Sequence, residues 1–126
     1  MGSRNKNNTQ RNYKRFKVQK GVFIQIRGLL NLRCKIINVS RGGLAFIYND
    51  IGKRPGEKVD LDIFFKKNRF LMKNLSVKII SDSPVSQKSL FTFRKKRQCS
   101  AQFVGLIQNQ LEQLEYFING YTSGEE

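Results

Sequence analysis

Residues 58–65 run Lys58-Val59-Asp60-Leu61-Asp62-Ile63-Phe64-Phe65. Val59, Leu61, Ile63 and Phe65 alternate with Lys58, Asp60 and Asp62, and a period of two puts the four apolar side chains on one face of an extended strand. Asp60 and Asp62 then share the opposite face, which the pattern predicts to be solvated strand surface rather than an acid–base pair. The upstream Pro55-Gly56 is turn chemistry, so the strand has a defined start.

The same period recurs along the chain. Phe16, Val18, Val22, Ile24 and Ile26 share a face, interrupted at Lys20-Gly21. After a turn at Gly28–Asn31 the pattern resumes at Leu32, Cys34 and Ile36, then breaks at Asn38-Val39-Ser40-Arg41-Gly42-Gly43 and returns at Leu44, Phe46 and Tyr48. Leu75, Val77 and Ile79 predict another strand, followed by a Ser- and Pro-containing loop over 82–88. Residues 90–97 with Cys99, Ala101 and Phe103 predict a final long strand or strand pair. Only the tail reads as helix, over about 109–121. Asn109 and Glu112 have capping-box spacing, and Leu111, Leu114, Ile118 and Tyr121 form an apolar stripe. Short strands without β-α-β alternation predict an all-β fold, a six- to seven-stranded antiparallel β-barrel carrying a C-terminal α-helix. Residues 1–12 are polar and aperiodic and are expected to form a flexible basic N-terminal arm, with 13–122 as a single barrel domain.

Composition removes most chemistries. The 126 residues include ten Phe and four Tyr, enough apolar area for a core, but no histidine. Ser-His-Asp and Cys-His nucleophile systems and the common zinc and iron sites are therefore excluded, and neither an enzyme nor a metal site is expected. Cys34 and Cys99 are isolated and read as reduced, buried apolar residues. The apolar runs fall far short of the roughly 20 residues of a membrane-spanning helix, and no signal-peptide core follows Met1, so a cytoplasmic protein is expected. Lys and Arg number 24 against 9 Asp and Glu, a formal net charge of +15. The excess is uneven: residues 1–20 hold seven basic side chains and no acid, while 98–126 hold four acids and no base. Arg94, Lys95, Lys96 and Arg97 form a second basic block. Such clusters favour anionic partners, an acidic protein surface or nucleic acid.

Two short motifs stand out. Arg11-Asn12-Tyr13-Lys14-Arg15 is an RxxxR sequence, unspecific by itself in so arginine-rich a chain. Asn38-Val39-Ser40-Arg41-Gly42-Gly43 is an NxSxxG sequence between two strands, and the order and spacing of the pair are far more specific. With NVSRGGLAF and the later QCSAQFVGL, the chain resembles the PilZ domain family, whose signature is RxxxR in an N-terminal loop followed by D/NxSxxG at the end of a barrel strand. The resemblance spans roughly residues 10–120.

What the resemblance implies is a PilZ-like split barrel that binds cyclic di-GMP, a bacterial second messenger, and needs no other cofactor. The implied ligand residues are Arg11, Arg15, Asn38, Ser40 and Gly43, with Gln10, Lys14, Arg41 and Gly42 as accessory positions. The expected mechanism is an arm, beginning at residue 10, that closes over the dinucleotide and relays the signal in trans to a protein partner, and the surplus basic charge points to that partner being acidic. The residue types suit this ligand. An arginine fork matches phosphate oxygens and the O6/N7 edge of guanine. In extended chain, Arg11 and Arg15 lie on one side about 13 Å apart, a span fitting one dinucleotide. Asn38 and Ser40 project together toward polar base edges, and Gly42-Gly43 permits a tight turn and close ligand approach. The chain departs from the family pattern in three places. Gln10 stands where many members carry a further arginine, which leaves ligand stoichiometry open; Asn38 replaces a frequent Asp; Ser100 replaces a frequent glycine, expected to affect packing rather than the ligand site. Two alternatives stay open: a small basic β-barrel binding nucleic acid, and a PilZ-type interaction module that has lost its ligand.

Overall fold

The computed structural model describes residues 13–28, 32–66, 69–86 and 95–126. The expected arm at 1–12, with Gln10 and Arg11, lies outside the described residues. Eight strands and one helix follow in order: β1 (Phe16–Val18), β2 (Val22–Ile26), β3 (Leu32–Val39), β4 (Gly43–Asn49), β5 (Lys58–Phe65), β6 (Arg69–Pro84), β7 (Lys96–Phe103), α1 (Gln108–Tyr121) and β8 (Thr122–Glu125).

Strands β2-β5-β6-β7-β4-β3 are antiparallel neighbours, and an additional β2–β3 pairing closes them into a six-stranded barrel. The expected barrel is thus present, with β1 and β8 as two extra strands. One edge of β3 is divided between partners: residues from Leu32 to Lys35 pair with β2, while Asn38 and Val39 pair with Lys17 and Phe16 of β1. This division positions the site, because it lays the chain just after the RxxxR motif beside the NxSxxG motif.

The period-two pattern does its predicted work inside the barrel. Val22, Ile24 and Ile26, Leu44, Phe46 and Tyr48, Leu61 and Ile63, and Leu75 and Val77 are all buried in one cluster, where β-branched and aromatic side chains pack well on a pleated surface. Cys34 and Cys99 are both buried. Burial pushes the Cys34 thiol up to about 12, with neighbouring Cys99 adding to the rise, and pushes Cys99 to about 12 with help from Asp82.

Strand β5 departs from expectation. Asp60 is exposed and accepts from the Ser76 hydroxyl, but Asp62 is only 7% exposed. Asp62 Oδ1 accepts from Arg27 Nη2 at 3.2 Å and from the backbone N–H of Asn74 at 2.9 Å. Asn74 has φ +60° and lies opposite a register shift between Leu61 and Ile63. The carboxylate therefore closes a bulge instead of facing water. Phe64, outside the alternation, is also buried, 5.9 Å from Phe23 and 6.2 Å from Phe70 between ring centroids. The Arg33 guanidinium covers it 4.8 Å above the ring.

Strand β6 continues to Pro84, so the loop expected from Asp82 begins later. Asp82 stays in the ladder because the Tyr48 hydroxyl donates to Oδ2 at 2.7 Å and Arg97 Nε donates to Oδ1 at 2.8 Å. The expected strand content at 90–94 lies outside the described residues.

The helix starts one residue before the expected position and is capped differently. The Ile107 N–H donates to Gln110 Oε1 at 3.2 Å, and Asn109 with Glu112 plays no capping part. Its buried side chains are Leu114, Phe117 and Ile118, whereas the expected Leu111 is 42% exposed. Tyr121 stacks on Phe117 at 5.9 Å and meets Phe65 edge-on at 5.3 Å. The Thr122 hydroxyl donates to the Ile118 carbonyl at 2.6 Å, and an extended Thr122 backbone turns the chain into β8. No helix of the described residues is long and apolar enough to cross a membrane.

Candidate functional site

The β3–β4 connection is shaped by Ser40. Its Oγ accepts the backbone N–H of Gly42 at 3.1 Å and of Gly43 at 3.2 Å, and its own N–H donates to the Gly43 carbonyl at 2.8 Å. A serine at this spacing builds a compact turn from its side chain. The Ser40 hydroxyl hydrogen is held only by a long 3.4 Å contact to the same carbonyl.

The two glycines serve close packing as well as the turn. A Cβ on Gly43 would lie 2.0 Å from the carbonyl oxygen of Ala101, across the β4–β7 pair. A Cβ on Gly42 would lie 2.7 Å from the ring of Tyr13, which covers the loop. Both requirements come from the protein's own neighbours, a reason additional to the ligand approach expected at these positions.

Tyr13 and Arg15, then Asn38, Ser40, Gly42 and Gly43, line one open cleft of about 340 Å³, walled on the far side by Ile80, Gln98, Ser100 and Gln102. Arg15 and the asparagine–serine motif are brought together by the β1–β3 register, in which Phe16 faces Val39 and Lys17 faces Asn38. Gln98, Ser100 and Gln102 point outward because Cys99 and Ala101 point into the core. Ser100 therefore stands in the cleft wall, against the expectation that its effect is confined to packing. Tyr13, Ile80, Gln98 and Gln102 were not singled out in the sequence. The outward positions of β7 become visible once Cys99 and Ala101 are assigned inward.

The expected polar residues have distinct neighbours. Asn38 Nδ2 donates to Glu126 Oε1 at 2.9 Å. Lys14 Nζ lies 3.9 Å from Glu125 Oε1, with both side chains mostly exposed. Arg41 turns to the helix, donating from Nη2 to Glu115 Oε1 at 3.0 Å and from Nε to Glu115 Oε2. The Arg41 guanidinium holds the Glu115 carboxyl below the usual glutamate range, and the pair ties the NxSxxG loop to α1. Gln10 and Arg11 lie outside the described residues. Among the described residues no group of three or more His, Cys, Asp or Glu is placed to hold a metal ion.

A planar cation, a primary amide, a hydroxyl and close backbone approach on one rim suit a planar anionic ligand with hydrogen-bonding edges. No curated protein matches the chain. Among solved structures, the fold is similar to the PilZ domain of YcgR from Escherichia coli with c-di-GMP, at TM-score 0.70 and 16% identity over 89% of this chain and 91% of that one. It is also similar to a longer YcgR chain from Escherichia coli in complex with c-di-GMP, at TM-score 0.64 and 18% identity over 87% of this chain. A third similarity is to MrkH of K. pneumonia, described as a c-di-GMP-dependent transcription regulatory factor, at TM-score 0.61 and 13% identity over 86% of this chain. The chain spans 45% of the longer YcgR chain and 49% of MrkH. The PilZ domain family matches residues 9–120, a stretch that takes in both motifs and the whole barrel, and the chain belongs to that family.

Proposed function

We propose that this chain is a non-enzymatic receptor for cyclic di-GMP. The observation that carries the reading is the convergence of Arg15, Asn38, Ser40 and Gly43, contributed by two motifs distant in sequence, on one cleft. Membership of the PilZ family and the likeness to YcgR structures with c-di-GMP support it. In this reading Arg15 meets a phosphate or a guanine edge, and Asn38 and Ser40 meet base polar atoms. Arg11 closes from the arm, and ordering of that arm alters the surface offered to an acidic partner. A ligand with two phosphates does not require fifteen positive charges, so the surplus at exposed Lys95 and Lys96 is assigned to that partner, while Arg97 is already paired with Asp82.

Fluorescence anisotropy with labelled cyclic di-GMP tests the reading against nucleic-acid binding. Unlabelled cyclic di-GMP should displace the probe, and a single-stranded oligonucleotide should not. Displacement by the oligonucleotide with a steep salt dependence would favour the nucleic-acid alternative.

A further inference from the structure

Strand β8 and the residue after it bring two carboxylates beside the cleft. Glu125 pairs with Phe16 across β1–β8, and the Glu126 N–H donates to the Arg15 carbonyl at 2.8 Å. The Glu126 side chain accepts from Asn38 at 2.9 Å, and Glu125 lies 3.9 Å from Lys14 Nζ. The side chains of Lys14 and Asn38, and the backbone of Arg15, are thus engaged by one acidic strand end.

That strand end is weakly anchored. Thr122-Ser123-Gly124-Glu125 contributes no buried side chain, and its pairing with β1 has an irregular register between Lys17 and Val18. What holds it is backbone pairing and exposed polar contacts, which salt screens and which individually contribute little. It is an attachment that a tighter ligand can displace.

We propose that Glu125 and Glu126 are affinity-setting residues, an internal anionic competitor that engages Asn38 of the nucleotide cleft and the neighbouring Lys14 until cyclic di-GMP displaces it. The inference rests on the reading of this cleft as a cyclic di-GMP site. Two carboxylates carry the same total charge as the two phosphodiesters of the ligand, and they already hold the side chains of Lys14 and Asn38. Bound nucleotide places like charge beside the strand end, so the two weaken each other. The coupling is reciprocal: the factor by which the acids weaken nucleotide binding is the factor by which nucleotide loosens β8. Displacement would bare the β1 edge and free an acidic segment, a change of surface that a partner can read.

The test is a calorimetric titration of cyclic di-GMP into the wild type, Glu125→Gln/Glu126→Gln, and Glu57→Gln/Glu112→Gln. The last changes net charge equally but away from the cleft. The neutralised strand end should bind about three- to tenfold more tightly than the wild type, with a gain that shrinks at high salt. The control pair should stay close to the wild type. Amide hydrogen exchange over residues 122–126 of the wild type should accelerate when nucleotide is added. Equal or weaker binding by Glu125→Gln/Glu126→Gln, or an equal gain in the control, overturns the competitor while leaving the cyclic di-GMP reading intact. Slower exchange of 122–126 with nucleotide also overturns it. Absence of binding in all three proteins overturns the cyclic di-GMP reading, and the competitor falls with it.

Discussion

Gly43 and Ala101 meet so closely that a methyl group on the glycine would lie 2.0 Å from the alanine carbonyl oxygen. The obstruction is backbone, not the movable end of a side chain, so β4 and β7 would have to separate to admit it. Gly43→Ala is predicted to destabilise the fold by about 1–3 kcal/mol, the usual range for overpacking. Urea unfolding checks this, and an unchanged midpoint would show that the strand pair yields freely.

Asp62 and Arg27 form an ion pair in which the partners are predicted to contribute unequally. Removing Arg27 loses an exposed cation, whereas removing Asp62 also strands the Asn74 N–H inside a bulge. Asp62→Ala should cost about 1–3 kcal/mol and Arg27→Ala less than about 1 kcal/mol. Equal losses in urea unfolding would show that the ion pair, not the bulge, is what Asp62 supports.

Tyr48 contributes to the pH dependence at the alkaline end, together with the two buried thiols. Burial, followed by the hydrogen bond to Asp82 and that residue's charge, raises the phenol above the ordinary tyrosine value. The folded state therefore favours the neutral phenol. Its contribution is fully present below the ordinary tyrosine pKa of about 10 and is lost as pH rises through the higher folded value. Tyr48→Phe should lose about 1 kcal/mol at neutral pH and show a shallower alkaline decline in stability than the wild type. Parallel alkaline profiles would contradict the assignment.

Cys34 and Cys99 should be unreactive in the native protein, since burial pushes both thiols to about 12 and only the thiolate reacts readily. A colorimetric thiol reagent is predicted to titrate neither residue before unfolding and both afterwards. Rapid native labelling would show that the barrel opens at β3 and β7.

The barrel was legible wherever burial imposed strict alternation, as at Val22, Ile24 and Ile26 or Leu44, Phe46 and Tyr48. It was illegible where other forces decide. Strand β8 has no apolar pattern, because backbone pairing with β1 holds it. Asp62 looked solvated because a bulge cannot be read from alternating letters, and Phe64 looked incidental because its burial comes from Phe23, Phe70 and Arg33. The helix stripe was anchored on Leu111 instead of Phe117, since an apolar letter in the first turn does not say whether the barrel reaches it. For the site, the motifs supplied Arg15, Asn38, Ser40 and Gly43. The polar wall of Gln98, Ser100 and Gln102 resembles any solvated strand face until β7 is placed beside β4.

The most direct measurement is isothermal titration of cyclic di-GMP into the wild type, Arg15→Ala and Asn38→Ala. Saturable binding at micromolar or tighter affinity is predicted for the wild type, abolished in Arg15→Ala and weakened in Asn38→Ala while both variants keep the wild-type fold. A flat wild-type titration, or binding indifferent to Arg15, would contradict cyclic di-GMP reception at this cleft.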